Sequence, residues 1–127
     1  MSDATLEQVR QICNALPEVN ERPSHGMPTW FVRDKKTFVT YVNNHHGDGI
    51  LGLWVAAPEG LQAMLVDGDP EQFFVPPYVG HRGWLGVRLD REPQWTVVAD
   101  LIEDAYRTIA PKRLVALLDA REASETT

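Results

Sequence analysis

Phe73-Phe74-Val75-Pro76-Pro77-Tyr78-Val79-Gly80-His81-Arg82-Gly83-Trp84-Leu85-Gly86-Val87-Arg88-Leu89 is the stretch whose reading decides the fold. Phe73 and Phe74 are large apolar anchors. Pro76 and Pro77 fix two φ angles and remove two backbone donors, so this segment is not a central strand. Gly80, Gly83 and Gly86 permit left-handed turns or close backbone approach. From Trp84 to Leu89 the pattern is that of a strand, with Leu85, Val87 and Leu89 on one face and Trp84, Gly86 and Arg88 on the other. A tight aromatic loop therefore feeds a strand and presents His81 and Arg82 at its turn.

Upstream, Pro58 is read as the first position of a short helix ending near Asp67, with Leu61, Met64 and Leu65 as its inner stripe. Before it, Thr29–Arg33 and Thr37–Asn43 are β-branched and aromatic runs joined by Asp34-Lys35-Lys36, a hairpin signature. Asn44–Gly49 is a second turn, and Ile50–Val55 continues the meander with Leu51, Leu53 and Val55 on one face. Val19–Arg22 is a short strand, and Pro23–Pro28 is read as a loop. The first helix spans about Ala4–Ala15, with Leu6, Val9, Ile12, Cys13 and Leu16 at helical spacing and Pro17 as its stop. Cys13 sits on that stripe as a packing residue.

Downstream lies the clearest helix. Trp95, Val98, Ala99, Ile102, Ala105, Tyr106 and Ile109 repeat at three and four residues, with Asp100, Glu103, Asp104 and Arg107 outside. Glu103 and Arg107 suit an i,i+4 pair. Beyond Pro111, Leu114, Leu117 and Leu118 form a terminal helix, and Arg121–Thr127 reads as a frayed polar tail. Strands grouped before helices give an α+β class: an antiparallel sheet with helices on one face, as a single domain over residues 1–127.

The composition narrows the function classes. One cysteine among 127 residues excludes an intramolecular disulfide framework and a cysteine zinc cluster. No apolar run approaches the ~20 residues of a membrane span. The N-terminal residues lack the basic and apolar parts of a signal peptide, so a cytoplasmic location is expected and no membrane partner. Twelve Lys and Arg against eighteen Asp and Glu give a net charge of −6, which opposes strong non-specific nucleic-acid binding. The charge is uneven, however. Glu59–Glu71 holds four acids and no base, whereas His81–Arg91 holds Arg82, Arg88 and Arg91 against Asp90 alone.

Catalytic and metal signatures are absent from the sequence. Adjacent His45 and His46 would point to opposite sides of an extended chain, at a hairpin tip read as a solvated turn. Zinc-hydrolase spacings, a Gly-x-Ser-x-Gly elbow and a phosphate loop are missing. The expectation is a non-enzymatic protein with no metal and no cofactor. The candidate binding set is His25, Thr29, Tyr78, His81, Arg82, Trp84, Arg88, Lys112 and Arg113. Arg and Lys can hold phosphate or carboxylate. Tyr and Trp can stack a base or fill a partner's pocket. The plainer reading of the same set makes Tyr78 and Trp84 core residues and the cations partners of nearby acids.

Ordered fragments along the chain resemble the MmcQ/YjbR family. They are Leu16-Pro17-Glu18-Val19, His25-Gly26-Met27-Pro28-Thr29-Trp30, Lys36 with Phe38, Leu51-Gly52-Leu53, Pro58-Glu59 and Phe73-Phe74-Val75-Pro76-Pro77-Tyr78-Val79-Gly80. They continue through Gly83-Trp84, Leu89-Asp90, Trp95 and Ala110-Pro111-Lys112-Arg113-Leu114. The resemblance covers about Leu16–Leu118. It implies a two-layer α+β domain of secretion-chaperone-like arrangement and a weak nucleic-acid-binding role. Trp54 and Gly86 depart from it, standing where basic or polar residues are commoner in the family. The alternative to nucleic acid is a small-ligand or protein-partner module using the Tyr78–Trp84 loop. A contiguous basic face would favour the first, and a concave apolar pocket with a few polar groups would favour a ligand.

Overall fold

The computed structural model of the chain describes residues 2–125. Helix α1 (Ser2–Asn14) is followed by strands β1 (Val19–Ser24), β2 (Met27–Val32), β3 (Lys36–Asn43) and β4 (Leu51–Val55). Then come α2 (Leu61–Gly68), β5 (Phe73–Phe74), β6 (Leu85–Arg88), α3 (Trp95–Ile109) and α4 (Lys112–Glu125). The strands form one antiparallel sheet in the order β1-β2-β3-β4-β6-β5. The α+β class is as expected, and β6 slots between β4 and the short edge strand β5.

One face of the sheet is dry. Trp30, Val39, Val55 and Leu85 lie in one register row across β2, β3, β4 and β6, and all are buried. Helix α3 lies on β3 and β4, bringing Val98, Ile102 and Ala105 down onto this row, while Trp95 and Ile109 pack half-buried at its ends. Tyr106, fully buried, meets Phe38 edge to face at 5.7 Å, and its hydroxyl donates to the Pro17 carbonyl at 2.8 Å. That bond ties α3 to the turn that follows α1. Val9 and Cys13 of α1 reach the same core, and burial pushes the Cys13 thiol well above its ordinary pKa.

Helix α4 joins the core through Leu114 and Leu118, whereas Leu117 is exposed. Arg107 fastens the two last helices, meeting Glu103 at 3.3 Å within α3 and Asp119 at 2.8 Å and Glu122 at 3.2 Å on α4. These contacts explain why the expected frayed tail is helical through Glu125; Thr126 and Thr127 lie outside the described residues.

Two other expectations are corrected. The Pro23–Pro28 loop is a β-hairpin whose turn is only His25-Gly26, both at positive φ (53° and 79°), as a two-residue hairpin turn requires. The prolines fit because Pro23 is on an edge strand and Pro28 precedes the β2–β3 ladder, which starts at Thr29. Helix α2 begins at Leu61 rather than at Pro58, because Gly60 at φ 87° breaks the chain direction just before it. Met64 consequently faces solvent, and Gln62 turns inward.

Candidate functional site

The second face of the sheet is built differently. Alternation along paired strands places Thr29, Thr40, Trp54 and Gly86 in one row on this side. Two residues before Gly86, Trp84 falls on the same side and is buried. Between Trp30 and Phe31 the β2–β3 register slips, so Trp30 faces Val39 while Phe31 faces Thr37. The extra residue is Phe38, which turns its ring to Tyr106 in the helix layer. The bulge thereby brings Thr37 and Thr40, three positions apart, to the same side.

The Val75–Trp84 loop folds over part of this face. Just before the loop, the Phe74 ring of β5 packs on Gly86, where a β-carbon would sit 2.4 Å from it. Likewise a β-carbon at Gly80 would meet Val75 Cγ1 at 2.6 Å. Gln62 of α2 secures the loop, its side-chain amide donating to the Gly80 carbonyl at 2.8 Å and the Trp84 carbonyl at 2.6 Å. Tyr78, at φ 64°, is held out of the chain path and is 65% exposed.

At the far end of β3 the hairpin tip also bends over the sheet. His45–Gly47 form a short 3₁₀ turn, with Asn44 and His46 in left-handed conformation at φ 57° and 50°. The Asn44 side chain accepts the Gly49 N–H at 2.8 Å, and Asp48 accepts that of Ile50 at 2.9 Å, which fixes the turn. The His45 ring stands nearly perpendicular to Trp54 at 5.1 Å and to Tyr78 at 5.9 Å, with His46 tilted against it at 4.1 Å. Trp54 and Tyr78 are 6.2 Å apart. The turn is exposed as expected at Asn44 and from His46 to Gly49, but His45 is half-buried against Trp54 and Tyr78, and its ring adjoins that of His46.

Between these rings, the loop and the β1–β2 turn lies a cavity of about 940 Å³. Threonines 29, 37 and 40 line it from the sheet, with Trp54 and Trp84; Tyr78 and Val79 line it from the loop. Ser24, His25 and Met27 close one side, and His45 and His46 another. No lining residue carries a formal charge at neutral pH if the histidines are neutral.

A family model described as YjbR matches residues 14–108. The chain belongs to the YjbR family. Comparison with curated proteins and with solved structures returned no match. The matched span contains every residue that lines the cavity, so the cavity lies wholly within the YjbR part of the chain.

Of the nine residues singled out from sequence, the YjbR domain brings His25, Thr29, Tyr78 and Trp84 to the cavity. The other five lie outside its lining. His81 and Arg82 are exposed in the 3₁₀ turn before β6, and the Arg82 guanidinium lies 5.5 Å from the centre of the Trp84 ring system. Arg88 is held by Asp90 through two bonds of 3.0 and 2.9 Å, and this pairing keeps the Asp90 carboxyl below its usual pKa. Lys112 and Arg113 are exposed at the start of α4, where Arg113 lies 3.6 Å from Glu18. Glu18 adjoins the start of β1, four strand positions from β6, or roughly 19 Å at the usual strand spacing. The cations are therefore spread apart, and of the four only Arg88 and Arg113 lie near an acid, while Arg82 lies beside the Trp84 ring. The plainer reading fits Trp84, but not Tyr78.

Sequence reasoning missed Thr37, Thr40, His45, His46 and Trp54 as lining residues. Trp54, one of the two departures from the family pattern, was the available signal; its cross-strand partner Gly86 makes room for the Phe74 ring rather than for the cavity.

Proposed function

We propose that this YjbR domain is a non-catalytic binding module for a small molecule, held in the cavity on the second face of its sheet. The observation that carries the reading is the cavity itself: concave, walled by aromatic rings, and furnished with a few convergent hydroxyl and imidazole groups. That is the usual make-up of a ligand site.

The nucleic-acid role implied by the family resemblance has weaker support. Phosphate binding rests on free cations sharing a surface. Here Arg88 is paired with Asp90, and Arg113 is near Glu18.

The test is a thermal-shift and tryptophan-fluorescence screen with neutral, anionic and cationic small molecules, alongside duplex and single-stranded DNA followed by anisotropy. Two of the four tryptophans, Trp54 and Trp84, line the cavity, so occupancy should change emission. We expect a saturable small-molecule response that is abolished by Thr40→Trp, which fills the cavity, and weakened by the nearly isosteric Thr29→Val. The reading fails if no small molecule binds while DNA does, with a log-log salt slope near about −3.6 for roughly four phosphate contacts.

A further inference from the structure

Two concavities of the molecule carry ionisable groups of opposite kinds. We infer that the larger one takes a small organic anion, a carboxylate or phosphate on a ring-sized body, with the anionic group at the end where His25 and His46 lie. This rests on the reading of that cavity as a ligand site and deepens it.

The smaller concavity, of about 260 Å³, is lined by Asp69 and Glu92 and by no base. The larger is the reverse. None of the chain's eighteen Asp and Glu residues lines it, and apart from the Tyr78 phenol its titratable groups are three imidazoles. An imidazole is neutral or, with a second proton, positive. A cation entering this space finds no counter-charge, and moving it out of water unpaired is unfavourable. An anion finds groups that become its partners on taking up a proton. A cleft whose charges are of one sign concentrates their field, even in a protein whose net charge is −6.

The histidines come from two turns at one end of the sheet. Strands β2 and β3 are antiparallel, with Thr29 opposite Thr40, so the His25-Gly26 turn before β2 and the His45–Gly47 turn after β3 lie at the same end. His25 and His46 are exposed there, whereas His45 is half-buried. Ser24 and the exposed Tyr78, whose ring is 5.9 Å from that of His45, add hydroxyls to this end. Hydroxyl and imidazole N–H groups are the donors from which a carboxylate or phosphate accepts. Asp48, the only acid of the Asn44–Gly49 tip, is outside the lining and turns its carboxylate to the Ile50 N–H.

Fixed charge near the lining has the same sign. Arg22 opposes Thr29 across the β1–β2 ladder and so stands on the cavity's side of the sheet, but it is paired with Asp34. Arg82 lies 5.5 Å from the centre of the Trp84 ring, and among the described residues no carboxylate pairs with it. Strand β6 begins opposite the end of β4, so Arg82 stands away from the histidines and contributes field rather than contact. The body of the ligand has Met27, Val79 and the Tyr78 ring to lie against; Thr29, Trp54 and Trp84 are nearly inaccessible and serve as floor.

The experiment measures tryptophan emission and calorimetric affinity for four probes of similar shape and different charge: benzoate, phenyl phosphate, neutral benzamide and cationic benzylamine. The better of the two anions should bind at least tenfold more tightly than benzamide, and it identifies the head group. Benzylamine should bind no more tightly than benzamide. The double variant His25→Asn with His46→Asn replaces two exposed residues at φ 53° and 50° by one that suits a left-handed backbone, so its melting temperature should hold. It should weaken the better anion at least tenfold and benzamide less than threefold. If the double variant fails to fold, each single variant carries the comparison. The inference is overturned if benzamide or benzylamine binds as tightly as the better anion, or if the histidine variants hold that anion like wild type. Should none of the four probes bind, the tightest ligand of the wider screen is taken through the same variants. A histidine-dependent anion then upholds the inference; any other ligand overturns it and leaves the cavity reading intact. Failure of every small molecule overturns both.

Discussion

The two faces of one sheet use the same strands for opposite ends. On the helix side, Trp30, Val39, Val55 and Leu85 are buried in the core that α3 shares, and Ile102 and Tyr106 are wholly buried. On the other side, Thr29, Thr40 and Trp54, equally in register, meet a loop and a hairpin tip that leave a hollow. Strand alternation makes this division possible, because each residue is assigned to one face regardless of its neighbours in sequence. The helix face supplies stability, and the open face is free to carry polar groups that a packed core would exclude.

The largest effect that tests this division is on the helix face. Ile102→Ala should cost about 2–5 kcal/mol by urea denaturation, since it removes buried methyl groups and leaves a void against β3 and β4. A loss within error would mean that α3 does not carry the core. The cavity ligand response of the folded variant should be unchanged.

Next in size is Tyr106→Phe, which deletes the bond to the Pro17 carbonyl while keeping the ring against Phe38. A loss of about 1–3 kcal/mol is expected, because a buried carbonyl is left without its donor. If the loss is smaller, water reaches Pro17, and the helix face is less dry than described.

Gly86→Ala probes the other side. The added methyl would collide with the Phe74 ring and should cost about 1–3 kcal/mol through displacement of that ring. Unlike Ile102→Ala, it should also alter tryptophan emission, since Trp54 lies directly across from it. Unchanged emission would show that the cavity floor is independent of the β5–β6 packing, and the contrast between the faces would soften.

The smallest effect concerns the edge of the open face. Arg88 lowers the Asp90 pKa first by direct hydrogen bonding, against a smaller opposing contribution from burial. A carboxyl whose folded pKa is depressed stabilises the fold above its unfolded value near 3.8, and that contribution is lost as pH falls through the lower folded value. Because the pair is partly exposed, the expected contribution is at most about 1 kcal/mol. Asp90→Asn should therefore flatten the stability–pH curve below about pH 4 and leave it parallel to wild type above. An unaltered acid limb would show that Asp90 is not bound to Arg88 in solution.

Much of the fold was legible in the sequence because it rests on period. The repeat of Val98, Ile102 and Ala105 marks the buried stripe of α3, and the alternation of Leu85, Val87 and Leu89 marks the inner face of β6 and its exit. Both patterns follow from local geometry and the apolar character of the residues. Local chemistry also indicated the tight loop from Pro76 to Gly83, where proline and glycine dictate the backbone. Pattern was less informative where a non-local contact decided the outcome. Met64 fits a helical stripe as well as Leu61 does, yet Gln62 faces inward because the Gly80 and Trp84 carbonyls await its amide.

The cavity belongs almost wholly to the second category. Sequence alone determined that the chain is an α+β protein, that Trp84 and Gly86 share a face, and that Tyr78 lies in a constrained loop. Tertiary structure decided that Thr37 and Thr40 share a face, because a bulge at Phe38 shifts the register by one residue. It also decided that His45 is half-buried within an exposed turn, since Trp54 and Tyr78, 9 and 33 positions away in the chain, provide the surfaces it rests on. A period can assign a residue to a side of its own strand. Which distant residues share that side, and whether they enclose a space, is set by register and by how the loops pack over it.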